Sequence, residues 1–327
     1  MRTDTGPVLE VDHLSVVYES NGRLASAVSD VSFAVNPGQI VGLVGESGSG
    51  KSTLAYAIMK LLPGNALVVD GSVRIMGEDV YRMSDQQLRT ARWNRFSMVF
   101  QSALVALNPV LTIEWQFMEM FRIHRPEMSR EEARRHIVGL MELVRIHPDR
   151  LKTYPHELSG GMRQRIIIAM AIALDPELVI MDEPTTALDS VVQRDILLEI
   201  RRIQQSRKFS VLFISHDLRL VQFLCHEIGV MYAGRMVESG PTNAIKAAGL
   251  HHPYTEGLIA ATPTLAKRDR ALLQGIGGQP PDLTQLPSGC AFHPRCPIAR
   301  PVCKTTAPGR VTVGELNMLC HRTGFDG

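Results

Sequence analysis

Long apolar runs are absent from this sequence. The longest uninterrupted apolar stretch, residues 166–174, has nine residues and is bounded by Arg165 and Asp175. A helix that spans a bilayer needs about 20 predominantly apolar residues. The first residues include one arginine but no apolar run after it, a pattern that does not predict a secretory signal. We therefore expect a chain that stays in the reducing cytosol and does not cross a membrane.

The sequence also has few cysteines and a low net charge. The 327 residues include five cysteines, and four of them follow residue 289. In a reducing compartment this number argues against a disulfide framework. The formal net charge of +2 produces no overall field that would favour nucleic acid, so no nucleic-acid partner is predicted. The hydrophobic share of 45% and the charged share of 21% are typical of a globular protein, and the length suits about two domains.

A glycine-rich stretch stands between a strand pattern and a helix pattern. Residues 39–44 predict a buried strand, and apolar residues recur at helical spacing from Leu54 to Leu62. The stretch between them matches the pattern G-x-x-x-x-G-K-[ST]. Backbone N–H groups in such a loop surround a β-phosphate, and the helix N-terminus adds its positive dipole end. The predicted nucleotide-binding residues are Gly45, Glu46, Ser47, Gly48, Ser49, Gly50, Lys51, Ser52 and Thr53.

Two acids complete the pattern expected of a nucleotide site. Apolar residues 178–181 predict a core strand, and Asp182 and Glu183 follow at its carboxyl end, where open α/β sheets bind ligands. We expect Lys51 to reach the β- and γ-phosphates, and Ser52 and Asp182 to hold Mg²⁺. Glu183 would take a proton from, or orient, the water that attacks the γ-phosphate.

The order of the remaining patterns predicts the architecture. Strand patterns cover residues 8–18, 32–35, 73–76, 97–100, 178–181 and 211–214, with a hairpin at 228–238. Helical texture begins near residue 102, and Ser129 and Glu132 form a predicted capping box. We predict an α/β nucleotide-binding domain over residues 1–245, with a helical subdomain at about 102–165. Prolines and glycines in residues 246–327 predict a small extension with few regular elements.

A second glycine motif narrows the interpretation. Residues 158–165 read Leu-Ser-Gly-Gly-Met-Arg-Gln-Arg. Ser-Gly-Gly at a helix start offers parts for a second phosphate site, or it is a plain helix cap. The whole string resembles the signature sequence of ATP-binding cassette (ABC) proteins. Other elements of that family occur in its order: Gln101 for the glutamine loop, residues 187–189 for the loop after the acids, and His216 for the switch histidine.

The resemblance covers about residues 8–245 and implies a P-loop NTPase fold and ATPase activity. It implies that Tyr18, which otherwise only packs at a strand edge, stacks on adenine. It also implies that Gln101 contacts Mg²⁺ and the catalytic centre, and that His216 contacts the γ-phosphate. Two cassettes of this family dimerise head to tail, so the partner's ATP would meet Ser159, Gly160, Gly161 and Asp189. Because this chain has one copy of each motif, it would need a second cassette.

The end of the chain resembles a narrower group. Residues 252–255 and 289–297 look like the C-terminal extension of dipeptide and oligopeptide importer ATPases. Met162, where most cassettes carry glutamine, resembles a variant found in one of the two ATPase subunits of peptide importers. The resemblance implies a peripheral subunit on the cytoplasmic face of the inner membrane. Its implied partners are a paralogous ATPase, two transmembrane permease subunits and an extracytoplasmic solute-binding protein.

Alternatives remain at the level of function. Similar extensions occur in importers of nickel and oligosaccharides, and residues 101–103 depart from the Gln-Asp-Pro common in peptide importers. A soluble cassette ATPase acting on nucleic acid or ribosomes usually has two cassettes or long insertions. A structural, non-hydrolysing cassette would lose Glu183 or His216, and both are present.

The resemblance also implies that residues from 102 to about Leu111 receive a permease helix. Alternatively, Leu104, Val105 and Leu107 fill the subdomain's own core.

The late cysteines predict a further site. Cys290, Cys296, Cys303 and Cys320 are spaced C-x5-C-x6-C-x16-C. Four thiolates hold either a Zn²⁺ ion or an iron–sulfur cluster. Zinc sites usually include a closely spaced cysteine pair, which this spacing lacks. The resembled importers carry a [4Fe–4S] cluster on cysteines in this pattern, so we predict a cluster that staples the extension. Zinc and four free thiols are the alternatives, and Cys225 is a separate core residue.

Overall fold

The computed structural model describes residues 6–20, 22–101, 106–186, 188–247, 249–261 and 275–322. The strands are β1 (Leu9–Ser20), β2 (Arg23–Val35), β3 (Ile40–Val44), β4 (Ala66–Ile75), β5 (Glu78–Asp79), β6 (Phe96–Val99), β7 (Leu178–Asp182), β8 (Ser210–Ser215), β9 (Glu227–Tyr232), β10 (Arg235–Pro241), β11 (Arg310–Val313) and β12 (Leu316–Leu319). The α-helices are α1 (Lys51–Ile58), α2 (Asp85–Asn94), α3 (Ile113–His124), α4 (Arg130–Leu143), α5 (Gly160–Ala171), α6 (Ser190–Arg207), α7 (Leu218–Leu224), α8 (Thr242–Lys246), α9 (Pro253–Ala261) and α10 (Pro301–Thr305). None of these helices combines the length and apolarity that a membrane crossing requires.

The chain divides into two compact units, and the first consists of Met1–Val8, Asn36–Gln39 and Arg82–Leu212. In it β6 and β7 pair in parallel, and all residues of both strands are buried. The predicted helical region contains α3 and α4, which contact each other. The predicted capping box is confirmed: Glu132 N–H donates to Ser129 Oγ, and Ser129 N–H donates to Glu132 Oε2. The apolar side chains of Ile137, Leu140 and Met141 on α4 are buried.

The second unit consists of Leu9–Val35, Ile40–Tyr81 and Phe213–Gly327. It contains a four-stranded antiparallel sheet in the order β2-β1-β4-β5. It also contains the strand order β11-β12-β10-β9-β3, in which β3 and β9 are parallel and the remaining pairs are antiparallel. Helix α1 follows β3, as predicted. The strands β2 and β4 begin well before the predicted residues 32–35 and 73–76, at Arg23 and Ala66.

The C-terminal extension has more regular structure than its prolines indicated. It contributes α9, α10 and the β11–β12 hairpin, and β12 pairs with β10 through Glu238 and Met318. Tyr254 is 0% exposed and Phe292 is 2% exposed, so these two side chains are part of the core. The helices and strands of the extension are short, and β12 also pairs with a strand distant in sequence, so no periodic pattern predicted them. The boundaries 1–245 and 246–327, with a subdomain near 102–165, stay a prediction.

Candidate functional site

The phosphate loop lies between β3 and α1, and its glycines are required by close backbone approaches. Gly50 has φ of 100°, and a Cβ there would lie 2.1 Å from the carbonyl oxygen of Ala27. A Cβ at Gly45 would lie 2.2 Å from the carbonyl oxygen of Met231. No side chain larger than hydrogen fits these positions without a backbone shift, so the packing of the unit requires glycine at both.

The Lys51 side chain is held by hydrogen bonds to the phosphate loop. Its side chain is buried, at 4% relative exposure. Nζ donates to the carbonyl oxygens of Gly45 (2.8 Å) and Glu46 (2.9 Å) and to Ser49 Oγ (3.2 Å). These acceptors are neutral, whereas phosphate oxygens are charged and bind an ammonium group more strongly. The arrangement therefore suits an ammonium group that exchanges loop contacts for a phosphate.

Two further predicted residues belong to the same unit. Tyr18 is half-buried, and its hydroxyl lies 3.4 Å from Thr53 Oγ1 at the phosphate loop. His216 follows β8 and is exposed. The turn after it is fixed because Asp217 caps α7, accepting from Arg219 N–H at 2.8 Å. Tyr18 thus lies beside the loop, which keeps both interpretations of its ring open, while the assigned contact of His216 with a γ-phosphate stays a prediction.

The two predicted acids lie at the end of β7, in the first unit. Asp182 is 0% exposed, and Glu183 has φ of 47° although it is not glycine. A carboxylate oxygen of Glu183, Oε2, accepts from Gln101 Nε2 (3.2 Å) and from Thr186 Oγ1 (2.9 Å). Left-handed backbone at a non-glycine residue costs free energy and is typical of functional sites. The structure thus brings Gln101 and Glu183 together and adds Thr186, which no sequence motif indicated.

The signature residues begin α5, and both interpretations of them remain. Ser159 caps the helix, since its Oγ accepts from Met162 N–H at 3.3 Å. A Cβ at Gly161 would lie 2.9 Å from Val192 Cγ1, and Gly160 is similarly crowded. The glycines therefore let α5 begin close to α6. The helix-cap alternative is realised in this single chain, and contact with a partner's ATP stays a prediction.

The loop after the acids ends in another cap. Asp189 Oδ1 accepts from the N–H groups of Val191 (3.1 Å) and Val192 (3.0 Å) at the start of α6. Ala187 lies outside the described residues, so the predicted loop is described only from Leu188 onward. The exposed carboxylate of Asp189 is thus fixed by its own helix, which leaves its predicted role toward a partner untested.

The segment predicted to receive a permease helix is described only in part. Residues 102–105, which include Leu104 and Val105, lie outside the described residues. Leu107 is 4% exposed. A side chain already buried in its own chain does not need a partner to cover it, so for Leu107 the structure favours the alternative that it fills the core.

The four cysteines of the C-terminal extension share one cavity. Cys290, Cys296, Cys303 and Cys320 line one small cavity in the extension. Burial raises the pKa of Cys290, Cys296 and Cys320 above the ordinary thiol value. Cys225 is buried elsewhere, as predicted, and burial raises its pKa strongly. Across the described ranges, however, no group of three or more His, Cys, Asp or Glu side chains is arranged to hold a metal ion.

Comparison with known proteins gives the same family that the two glycine motifs indicated. The family model described as "ABC transporter" matches residues 28–186, and that described as "Oligopeptide/dipeptide transporter, C-terminal region" matches residues 237–303. The Escherichia coli (strain K12) protein named "Probable D,D-dipeptide transport ATP-binding protein DdpD" is 44% identical over 323 residues, covering 97% of this chain and 96% of the relative. The chain belongs to the ABC transporter ATPase family. The predicted family, fold class and ATPase activity are thereby confirmed.

Further relatives support the same assignment. A Brucella melitensis biotype 1 protein, "Putative peptide import ATP-binding protein BMEII0206", is 45% identical over 307 residues, covering 93% of this chain and 91% of the relative. A solved structure of the ATP-binding cassette MJ0796, a dimer in a post-hydrolysis state bound to ADP and Pi, superposes with a TM-score of 0.64. It is 26% identical and covers 72% of this chain and 98% of its own. Family membership implies ATP as the nucleotide and Mg²⁺ as its metal ion.

Proposed function

We propose that this ABC ATPase powers a peptide importer, and that Glu183 is the general base for ATP hydrolysis. The observation that carries the catalytic assignment is the position of this residue at the end of buried β7. There its backbone is left-handed, and Gln101 and Thr186 both donate to one carboxylate oxygen. These contacts hold the carboxylate in place. A base fixed in this way loses little conformational freedom in the transition state.

The proposed reaction is an in-line displacement. Glu183 accepts a proton from water as the water oxygen bonds to the γ-phosphorus. The bond to the β,γ-bridging oxygen breaks, and ADP leaves with that electron pair. Ser52, Gln101 and Asp182 would hold Mg²⁺, which when bound neutralises charge on the phosphate oxygens. Lys51 would bind the β- and γ-phosphates and His216 the γ-phosphate, while Tyr18 would stack on adenine.

The proposed active assembly contains two cassettes arranged head to tail. Each ATP would lie between one phosphate loop and the other subunit's Ser159, Gly160, Gly161 and Asp189. The similar cassette MJ0796 was solved as a dimer, which supports an assembly of two cassettes. The second cassette would be a paralogue, and two permease subunits would carry the transport path. We place the subunit on the cytoplasmic face of the inner membrane, with an extracytoplasmic binding protein delivering the solute.

Peptide is the proposed solute class because two similar proteins are named for dipeptide transport or peptide import, and both align over most of their length. The test is phosphate release by the complete complex in proteoliposomes, with peptide-loaded binding protein added outside. We expect stimulation by short peptides and none by nickel or oligosaccharides. Equal stimulation by nickel alone would contradict the peptide assignment and leave the ATPase assignment intact.

We further propose a [4Fe–4S] cluster on Cys290, Cys296, Cys303 and Cys320. The proposal is supported by the four side chains lining one cavity, since four thiolates suit an iron–sulfur cluster, with zinc as the alternative. A bound cluster would cross-link segments of the extension. Anaerobically purified protein should contain about four irons per chain. Cys303→Ser should lose the iron, while Cys225→Ser should retain it. One zinc and no iron, or no metal in folded protein, would contradict the cluster.

A further inference from the structure

An ion pair joins the C-terminal extension to the phosphate loop. Arg295 and Glu46 are 249 residues apart in sequence. Arg295 Nη1 lies 2.6 Å from Glu46 Oε2, and Nη2 lies 3.0 Å from Oε1, so the contact is bidentate. The Arg295 side chain is 4% exposed and that of Glu46 is 29% exposed. A bidentate pair with one partner buried is stronger and more directional than a surface salt bridge.

Arg295 is itself fixed by the extension and by β9. Its Nε donates to the carbonyl oxygen of Gly277 at 2.8 Å. The guanidinium lies 5.7 Å from the ring centroid of Tyr232 and 6.0 Å from that of Phe292. Backbone and aromatic contacts together restrict the guanidinium to one position. The charge that faces Glu46 is therefore preorganised.

A second contact holds the backbone of the same loop residue. The hydroxyl of Tyr254, on α9, accepts from Glu46 N–H at 2.7 Å. Tyr254 is 0% exposed, and its ring lies 4.7 Å from that of Tyr232 and 5.5 Å from that of Phe292. The extension thus holds both the carboxylate and the amide of Glu46. The carbonyl oxygen of Glu46 is one of the acceptors of Lys51, so the held residue also contacts the phosphate-binding lysine.

We propose that Arg295 and Tyr254 are positioning residues of the phosphate loop, through which the C-terminal extension shapes the loop for ATP. The proposal rests on nucleotide binding at this loop, as in the proposed function. The two contacts order Glu46 in advance, so less conformational freedom is lost when the phosphates bind. Arg295 also offsets the charge of Glu46, a carboxylate that would otherwise repel a triphosphate. The known loop motif contains neither residue.

The test compares ATP with adenosine, which lacks phosphates, by calorimetric titration of the full chain. Arg295→Gln should weaken ATP binding about tenfold and leave adenosine affinity unchanged. Tyr254→Phe, which removes only the hydroxyl, should weaken ATP binding about threefold. The double variant Glu46→Gln with Arg295→Gln should bind ATP more tightly than Arg295→Gln alone, because the repelling carboxylate is gone. Arg310→Gln, an exposed arginine on β11, is the matched control and should bind as wild type.

Three results would overturn the proposal. These are unchanged ATP affinity in folded Arg295→Gln and Tyr254→Phe, equal losses for ATP and adenosine, and a double variant no better than Arg295→Gln. Should Arg295→Gln fail to fold, Tyr254→Phe decides the matter alone. Failure of the wild-type chain to bind ATP would instead contradict the proposed function, so the two failures are distinguishable.

Discussion

Two residues with proposed roles toward ATP are each held by neighbours in their own unit. The carboxylate of Glu183 is fixed by Gln101 and Thr186, and the ammonium group of Lys51 is fixed by loop oxygens. In both cases, hydrogen bonds from the same chain restrict the position of the functional group. Such ordering lowers the entropy that binding and catalysis must overcome.

Lys51→Ala should weaken ATP binding strongly, because no other side chain of the loop carries a positive charge. We expect the dissociation constant to rise about 100-fold, equivalent to about 2.7 kcal/mol. Equilibrium binding of ATP to the purified chain measures the change. Lys246→Ala, at an exposed site on α8, is the control and should bind normally. Wild-type affinity in Lys51→Ala would contradict the assigned role.

At the scale of elements, Ser159 has two roles at the start of α5. It caps the helix, and it is proposed to contact the partner's ATP. Ser159→Arg should depress hydrolysis in the assembled complex while ATP binding to the isolated subunit changes little, because the residue is assigned to the partner's nucleotide. Ser159→Asn separates the two roles, since asparagine caps helices about as well as serine. It should leave thermal stability unchanged and still slow hydrolysis. Equal loss of nucleotide affinity in the isolated subunit would contradict the head-to-tail arrangement.

A buried pair links β10 to the segment before α9. His251 Nδ1 lies 2.7 Å from Glu238 Oε1, and their side chains are 5% and 0% exposed. Burial lowers the pKa of His251, but hydrogen bonds to Glu238 and to the carbonyl oxygen of Ala247 outweigh it, so the pKa is raised. A raised histidine pKa stabilises the folded state below the unfolded pKa of about 6.5, and this contribution is lost as pH rises through the folded value.

The free energy of unfolding should therefore differ between wild type and His251→Gln more at pH 6 than at pH 9. Urea denaturation at both pH values measures this difference. Burial lowers the pKa of the neighbouring His252 to about 4. That histidine destabilises the folded protein at acid pH, but it does so in both proteins and cancels in the comparison. A difference that is independent of pH would show that folding does not raise the pKa of His251.

For the whole molecule, the predictable features were those encoded by residues close together in sequence. The phosphate loop, the acids after β7 and the capping box at Ser129 each occupy one short stretch, where spacing alone specifies a local conformation. The pairing of β12 with β10 and the contact of Arg295 with Glu46 join distant segments, and no periodic pattern predicts such contacts. Thr186 had a weak signal, since it lies three residues after Glu183.

The position of Tyr254 shows the same limit. Its stretch, residues 252–255, was singled out by resemblance, but nothing in the local sequence indicates that its hydroxyl meets a loop amide 208 residues away. Burial of an aromatic ring with a polar end requires a hydrogen-bond partner, yet the partner is determined by tertiary packing. The extension could therefore be recognised from sequence, while its contacts with the phosphate loop required the structure.

Peptide uptake driven by this subunit is the most direct test of the account. The complete complex is reconstituted in proteoliposomes with either the wild-type chain or Glu183→Gln, and accumulation of a labelled peptide is measured in the presence of ATP. We expect the wild-type complex to accumulate peptide. The variant should bind ATP normally but hydrolyse it and transport peptide at least about 100-fold more slowly, the usual effect of losing a general base. Peptide accumulation at the wild-type rate with Glu183→Gln would contradict the account.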